Sequence, residues 1–160
     1  MGGARQGRRE RLRPLDPPGL LRELAGLGEQ RLRGISHAEL VVVVGGVQVS
    51  ATSLGREPLA PPDAWNDLPV LSLLDLAELK IEAAVHRGML RDLCDLHLLC
   101  LAGADLETAV RASGIDLIVA LEALADTERF RGQPELELVR AWRPGDAVAY
   151  FTSEARRLLG

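Results

Sequence analysis

Aromatic residues are scarce in these 160 residues, with two Trp, two Phe and one Tyr making up 3% of the chain. A core short of aromatic pairs must close through aliphatic packing, and Leu, Ala and Val supply nearly all of the 47% hydrophobic content. Interlocking aliphatic ridges suit helix against helix better than sheet against sheet, so the shortage favours a mostly helical protein. Long apolar runs are missing as well. None exceeds five residues, and residues 40–44, one of these, stop at Gly45-Gly46, far short of the ~20 residues that a spanning helix needs. No apolar segment of the ~7–15 residues typical of a secretory signal directly follows the arginine-rich start, and the expected location is the cytoplasm. Cysteine occurs only at Cys94 and Cys100. Six residues apart on a helix, their side chains point in different directions, which argues for reduced thiols rather than a mutual disulfide. Lysine occurs once, at Lys80, and every other strong base is an arginine.

The chain carries a net charge of -4, with 26% charged residues. Five arginines, at 5, 8, 9, 11 and 13, crowd the start. They read as a solvated arm, able to touch a polyanion but without sequence-specific information. Asp16 before Pro17-Pro18 is a helix start, because the carboxylate caps free N–H groups and proline is tolerated in the first turn. The helix over residues 17–27 buries a stripe of Leu20, Leu21, Leu24 and Leu27, and Gly28 ends it. The periodicity then changes. Residues 39–44 and 47–52 are β-rich runs joined by Gly45-Gly46, which is the pattern of an antiparallel hairpin with a tight turn.

Residues 57–69 carry four prolines and are expected to lack regular structure, as a connector. Ser72-Leu73-Leu74-Asp75 resembles a capping box with Asp in place of Glu and opens a helix to about His86. Arg87-Gly88 breaks it, and a leucine-rich helix over residues 90–101 follows, apolar around most of its circumference. Further helices are expected over residues 106–112, 115–125 and 146–159. Cys94, His97 and Cys100 recur at intervals of three. All lie on one helix among leucines, so they are expected to be core thiols with a half-exposed histidine rather than metal ligands. His37 and His86 have no recognisable nucleophile partner.

Residues 71–100 combine a capped helix carrying Lys80, an Arg87-Gly88 turn, and Arg91-Asp92-Leu93-Cys94-Asp95-Leu96 opening the next helix. This stretch resembles the C-terminal signature of the AbiEii/AbiGii-like nucleotidyltransferases, within the polymerase-beta-like superfamily. The likeness runs over about residues 14–159. It takes in the hairpin and proline-rich stretch before the signature, and a run ending at Glu128, a Trp142 segment and a last helix after it.

The resemblance implies an α+β fold: a partial nucleotidyltransferase core of helix plus β-hairpin, followed by a helical C-terminal bundle. Its expected divisions are a basic disordered arm over 1–13, the partial core over 14–56, the connector over 57–69 and the helical region over 70–160. It also implies the toxin of a toxin–antitoxin or phage-defence pair, moving a nucleotide from an NTP to an RNA (tRNA) or protein acceptor, with a cognate antitoxin as partner and no membrane. Lys80, Asp92 and Asp95 are then the catalytic candidates, and Lys80, Arg87 and Arg91 the nucleotide-binding ones.

The chemistry of those residues can be argued without the family. Nucleotidyl transfer builds charge on a leaving pyrophosphate, so cations near the triphosphate and carboxylates that hold Mg²⁺ are its minimum equipment. Lys80, beside the apolar Leu76, Ala77 and Leu79, could project an ammonium from the rim of a buried face; by itself it reads as an ordinary surface lysine. Asp92 and Asp95, three apart in the first turns of a helix, are favoured there by the macrodipole. Pairing with Arg87 or Arg91 would account for them equally well.

Mg²⁺ is implied by the family, but its ligands are not found in this chain. Where an Asp-x-Asp strand would stand ahead of the hairpin, the sequence offers Gly7-Arg8-Arg9-Glu10-Arg11-Leu12-Arg13. An N-terminally truncated or degenerate member with doubtful activity is the expectation, and a catalytically dead remnant serving as a protein-interaction module is the alternative.

Overall fold

The computed structural model describes residues 15–36, 39–54, 56–66, 68–126, 128–130, 132–133 and 142–160. The basic arm over 1–13 therefore lies outside the described residues, as do His37 and Asp67. The chain divides into two compact units, residues 1–57 and 58–160.

The first unit holds one helix and one sheet. Helix α1 (Pro17–Leu24) is capped by Asp16, whose carboxylate accepts from the Gly19 N–H at 3.1 Å, and a 3-10 turn (Ala25–Leu27) extends it. Strands β1 (Gln30–Ile35), β2 (Glu39–Val44) and β3 (Val47–Thr52) form an antiparallel sheet in that order. In β2 the side chains alternate, Leu40, Val42 and Val44 being buried, and Leu20, Leu21 and Leu24 of α1 cover that face. Gly45 and Gly46 take positive φ angles of 55° and 87°. Both central positions of the turn are left-handed, which glycine reaches without steric cost. Strand β1 was not expected. Its Gln-Arg-Leu-Arg-Gly-Ile sequence carries two arginines and a glycine, and its register slips at Leu32/Gly34, so the period-two signal that betrays a strand is broken.

The second unit is helical apart from one ribbon. Residues 57–69 do not lack regular structure, contrary to expectation: β4 (Asp63–Trp65) and β5 (Leu68–Val70) pair antiparallel within that stretch and just past it. Of its prolines only Pro69 lies in a strand, and in a two-stranded ribbon every strand has a free edge where a missing N–H is harmless. Asp75 adds an anchor. Buried at the start of α2 (Leu73–Arg87), its carboxylate accepts from the backbone N–H of Leu59 (2.7 Å) and Ala60 (3.3 Å) and from the Ser72 hydroxyl (2.6 Å). The capping box is thus half as expected. Ser72 caps the Asp75 N–H at 3.1 Å, while the Asp75 side chain binds the preceding segment.

Helices α3 (Leu90–Leu101), α4 (Leu106–Ser113), α5 (Leu117–Ala125) and α6 (Pro144–Leu159) complete the unit. Their shared core is aliphatic: Ala77, Ile81 and Ala84 of α2, Leu93 and Leu96 of α3, Ala109 and Val110 of α4, and Leu121 and Leu124 of α5. Phe151 of α6 is its one fully enclosed aromatic side chain. Helix α3 buries Leu90, Leu93, Leu96 and Cys100 in this core but leaves Leu98 and Leu101 exposed, so it is enclosed on one broad face and not all round. The protein is therefore α+β and mostly helical, with a small antiparallel sheet and six α-helices among the described residues. No helix among them is long and apolar enough to cross a membrane.

Candidate functional site

Gly88 ends α2 with φ at 60°, a left-handed C-cap, and Met89 begins α3 two residues after α2 stops. So short a link folds the helices against each other, and α2 and α3 pack side by side. The reversal brings Lys80, seven residues before the end of α2, level with the first turns of α3. There the Lys80 ammonium lies 2.5 Å from Asp95 Oδ2 and 3.4 Å from Asp92 Oδ1. From the end of α2, Arg87 Nη2 donates to the same Asp92 Oδ1 at 3.1 Å. Two cations and two carboxylates thus form one charge-balanced quartet.

Its members differ in burial. The Asp92 side chain is 1% exposed, Lys80 30%, Asp95 48% and Arg87 55%. Asp92 is therefore the floor of the site, and its Oδ2 has no hydrogen-bond partner among the described residues. Arg91 stands exposed on α3 and takes no part in the quartet. Of the sequence candidates, the structure joins Lys80, Arg87, Asp92 and Asp95 and leaves Arg91 outside. Beside the quartet is an open, mainly apolar cavity of about 330 Å³, lined by Leu76, Lys80, Asp95, Leu98 and Leu99.

The turn beneath the quartet is held from a distance. Gln133 accepts from the Leu90 N–H through Oε1 (2.8 Å) and donates through Nε2 to the Gly88 carbonyl (2.7 Å), so one amide serves both ends of the α2–α3 break. Arg129 donates to the Val85 carbonyl. Its Nε would lie 2.6 Å from a Cβ placed on Gly88, so a side chain there would have to displace Arg129, while the positive φ by itself favours glycine. Sequence reasoning missed Gln133 and Arg129, and it read Asp75 as a capping residue without its hold on Leu59 and Ala60. The first two lie more than 40 residues from the groups they bind, and a glutamine in a loop carries no local signal of such a role.

His97 is not half-exposed as expected. It is 6% exposed, and its Nδ1 accepts from the Trp142 indole N–H at 3.1 Å, with Tyr150 and Phe151 packed around it. All three aromatic residues of α6 and its approach, Trp142, Tyr150 and Phe151, have gathered on this one imidazole, which the sequence had displayed as a polar residue among leucines. Burial pushes its pKa below the ordinary 6.5, the nearby Asp146 charge opposing the shift. Cys94 and Cys100 are buried and free. Burial raises both thiols, Cys100 to about 11, so neither is a thiolate nucleophile near neutrality.

No protein-family model, curated protein or solved structure matches the chain.

Mg²⁺ does not fit the described residues of this site. Among the described residues no group of three or more His, Cys, Asp or Glu side chains gathers where an ion could sit. The two carboxylates that share Lys80, Asp92 and Asp95, are already engaged by cations, Asp92 by Arg87 as well. A divalent ion placed there would meet two fixed positive charges, whereas such ions seek uncompensated oxygen ligands.

Proposed function

We propose that this chain is a nucleotidyltransferase-like protein of the AbiEii/AbiGii type, related to toxins that move a nucleotide from an NTP to an RNA or protein acceptor. As these 160 residues, it does not carry out the transfer. The observation that supports the reading is the convergence of Lys80, Arg87, Asp92 and Asp95 from a capped helix, an Arg-Gly break and a second helix. A partly exposed ammonium on a rigid helix pair, steadied by carboxylates below and beside it, suits the neutralisation of phosphate charge. The same site argues for silence. Its carboxylates are engaged by cations, and the sequence contains no Asp-x-Asp, so the electrostatic stabilisation that a bound metal gives phosphoryl chemistry has no place to act.

Incubation of the purified chain with labelled NTPs, Mg²⁺ and total tRNA is expected to give no transfer. Fused behind the Asp-x-Asp-bearing region of an active family member, the helical unit should support transfer that Lys80→Ala abolishes. A folded chimera in which Lys80→Ala has no effect refutes the reading. Robust transfer by the unmodified chain refutes its silence. The interaction-module alternative has one observation of its own: α3 turns Leu98 and Leu101 outward, 48% and 64% exposed, and Leu98 lines the apolar cavity.

A further inference from the structure

The two carboxylates hold Lys80 on unequal terms. Asp92 is buried, and its Oδ1 is served twice, by Arg87 at 3.1 Å and by Lys80 at 3.4 Å. Asp95 is half-exposed at the edge of the cavity and meets Lys80 at 2.5 Å. Loss of Lys80 from Asp92 therefore leaves the buried charge with Arg87 still attached, and no orphaned ion results. Asp95, in solvent, can be left by its partner at small cost. Lys80 is thus the releasable cation of the quartet and Arg87 the fixed one.

We infer that Asp95 is an intramolecular gate on Lys80: its carboxylate occupies the ammonium that a phosphate oxyanion would otherwise take, and an incoming polyphosphate binds by displacing Asp95. The inference rests on the nucleotide reading of the site and adds a competitor to it. With Asp95 charged, the quartet sums to zero and offers a polyanion no net attraction. Without the Asp95 charge, it carries a net positive charge, and the ammonium beside the cavity keeps only its longer contact with Asp92. Asp95 is therefore not a phosphate ligand but the group that sets how tightly phosphate is held. Displacement breaks only ion pairs and hydrogen bonds, so it needs no further reactant.

Because Lys80 is the only lysine, its side-chain ammonium gives a single lysine resonance in a ¹⁵N-labelled full-length chain. Inorganic tripolyphosphate, and separately each NTP, would be titrated without divalent ions at pH 7 against wild type, Asp95→Asn, Lys80→Ala and the double variant. Asp95→Asn should bind tripolyphosphate about twofold to fivefold more tightly, the range that loss of an exposed competing ion pair allows. The Lys80 resonance should shift on binding, and the gain should vanish when Lys80→Ala is added. Equal or weaker binding by Asp95→Asn would overturn the gate, since an aspartate that takes part in binding is lost rather than relieved. A Lys80 resonance unmoved while tripolyphosphate binds elsewhere would overturn it too. Tripolyphosphate bound with the predicted gain, but with no NTP bound by any variant, would sustain the gate and overturn the nucleotide reading. NTP bound equally with and without the Asp95 charge would do the reverse.

Discussion

Asp92 offers the sharpest test of how the quartet is held together, because it is a buried carboxylate with two cations on one oxygen. Replacing Lys80 or Arg87 by Met keeps the apolar stem and removes one charge. With the other cation in place, each single substitution should cost about 1 kcal/mol, the worth of one partly exposed charged hydrogen bond. Replacing both leaves Asp92, 1% exposed, with no counter-charge, and a buried ion stripped of its partner costs about 3–5 kcal/mol. The loss in the double variant should therefore exceed the sum of the single losses by about 1–3 kcal/mol. Urea unfolding followed by helical circular dichroism, run on wild type, both single variants and the double, measures that coupling. Adding Asp92→Asn to the double should recover most of the loss, because a neutral amide no longer needs a counter-ion. Single losses that simply add, or an Asp92→Asn change that fails to rescue, would show that the carboxylate is better solvated than its burial implies, and the reasoning would fail.

Three further outcomes follow from neighbouring parts of the second unit. His97 is held neutral by burial, with its folded pKa below the ordinary 6.5; its contribution to stability is complete above pH 6.5 and is lost as pH falls from there through the folded value. Urea midpoints should drop between pH 7.5 and pH 5 more steeply in wild type than in His97→Gln, and parallel slopes would refute this. Gln133→Ala leaves the Leu90 N–H and the Gly88 carbonyl without their side-chain partner. It should cost about 1–2 kcal/mol and speed hydrogen exchange at Leu90 ahead of the α2 interior; unchanged exchange there would remove Gln133 from the role. Cys94 and Cys100, buried and with raised pKa values, should react with a thiol reagent at pH 8 only at the rate of unfolding, whereas fast labelling of either in the native protein would contradict the packing of α3.

Much of the fold was legible because its signals are local. Asp16, Ser72, Gly28 and Gly88 mark helix ends by side-chain capping or left-handed backbone, which depend on a few neighbouring residues. The alternation of Leu40, Val42 and Val44 around a Gly-Gly turn likewise states its own face. Even the meeting of Lys80 with Asp92 and Asp95 could be anticipated, because a helix broken at Arg-Gly and resumed at once has little choice but to fold back on itself.

What only the tertiary structure decided was the set of partners brought from far along the chain. Nothing near β1 says that its arginine-rich sequence will be a strand, because pairing with β2 supplies the hydrogen bonds that its own side chains do not advertise. The proline-rich stretch forms a ribbon where Asp75 can fix the backbone leading into it. His97 became buried because Trp142, Tyr150 and Phe151 arrived from another helix and its approach. The division of labour between Asp92 and Asp95 also lies outside the sequence. Two aspartates one turn apart look alike in one dimension, and only the depth of the helix in its bundle makes one a buried floor and the other an exposed rim.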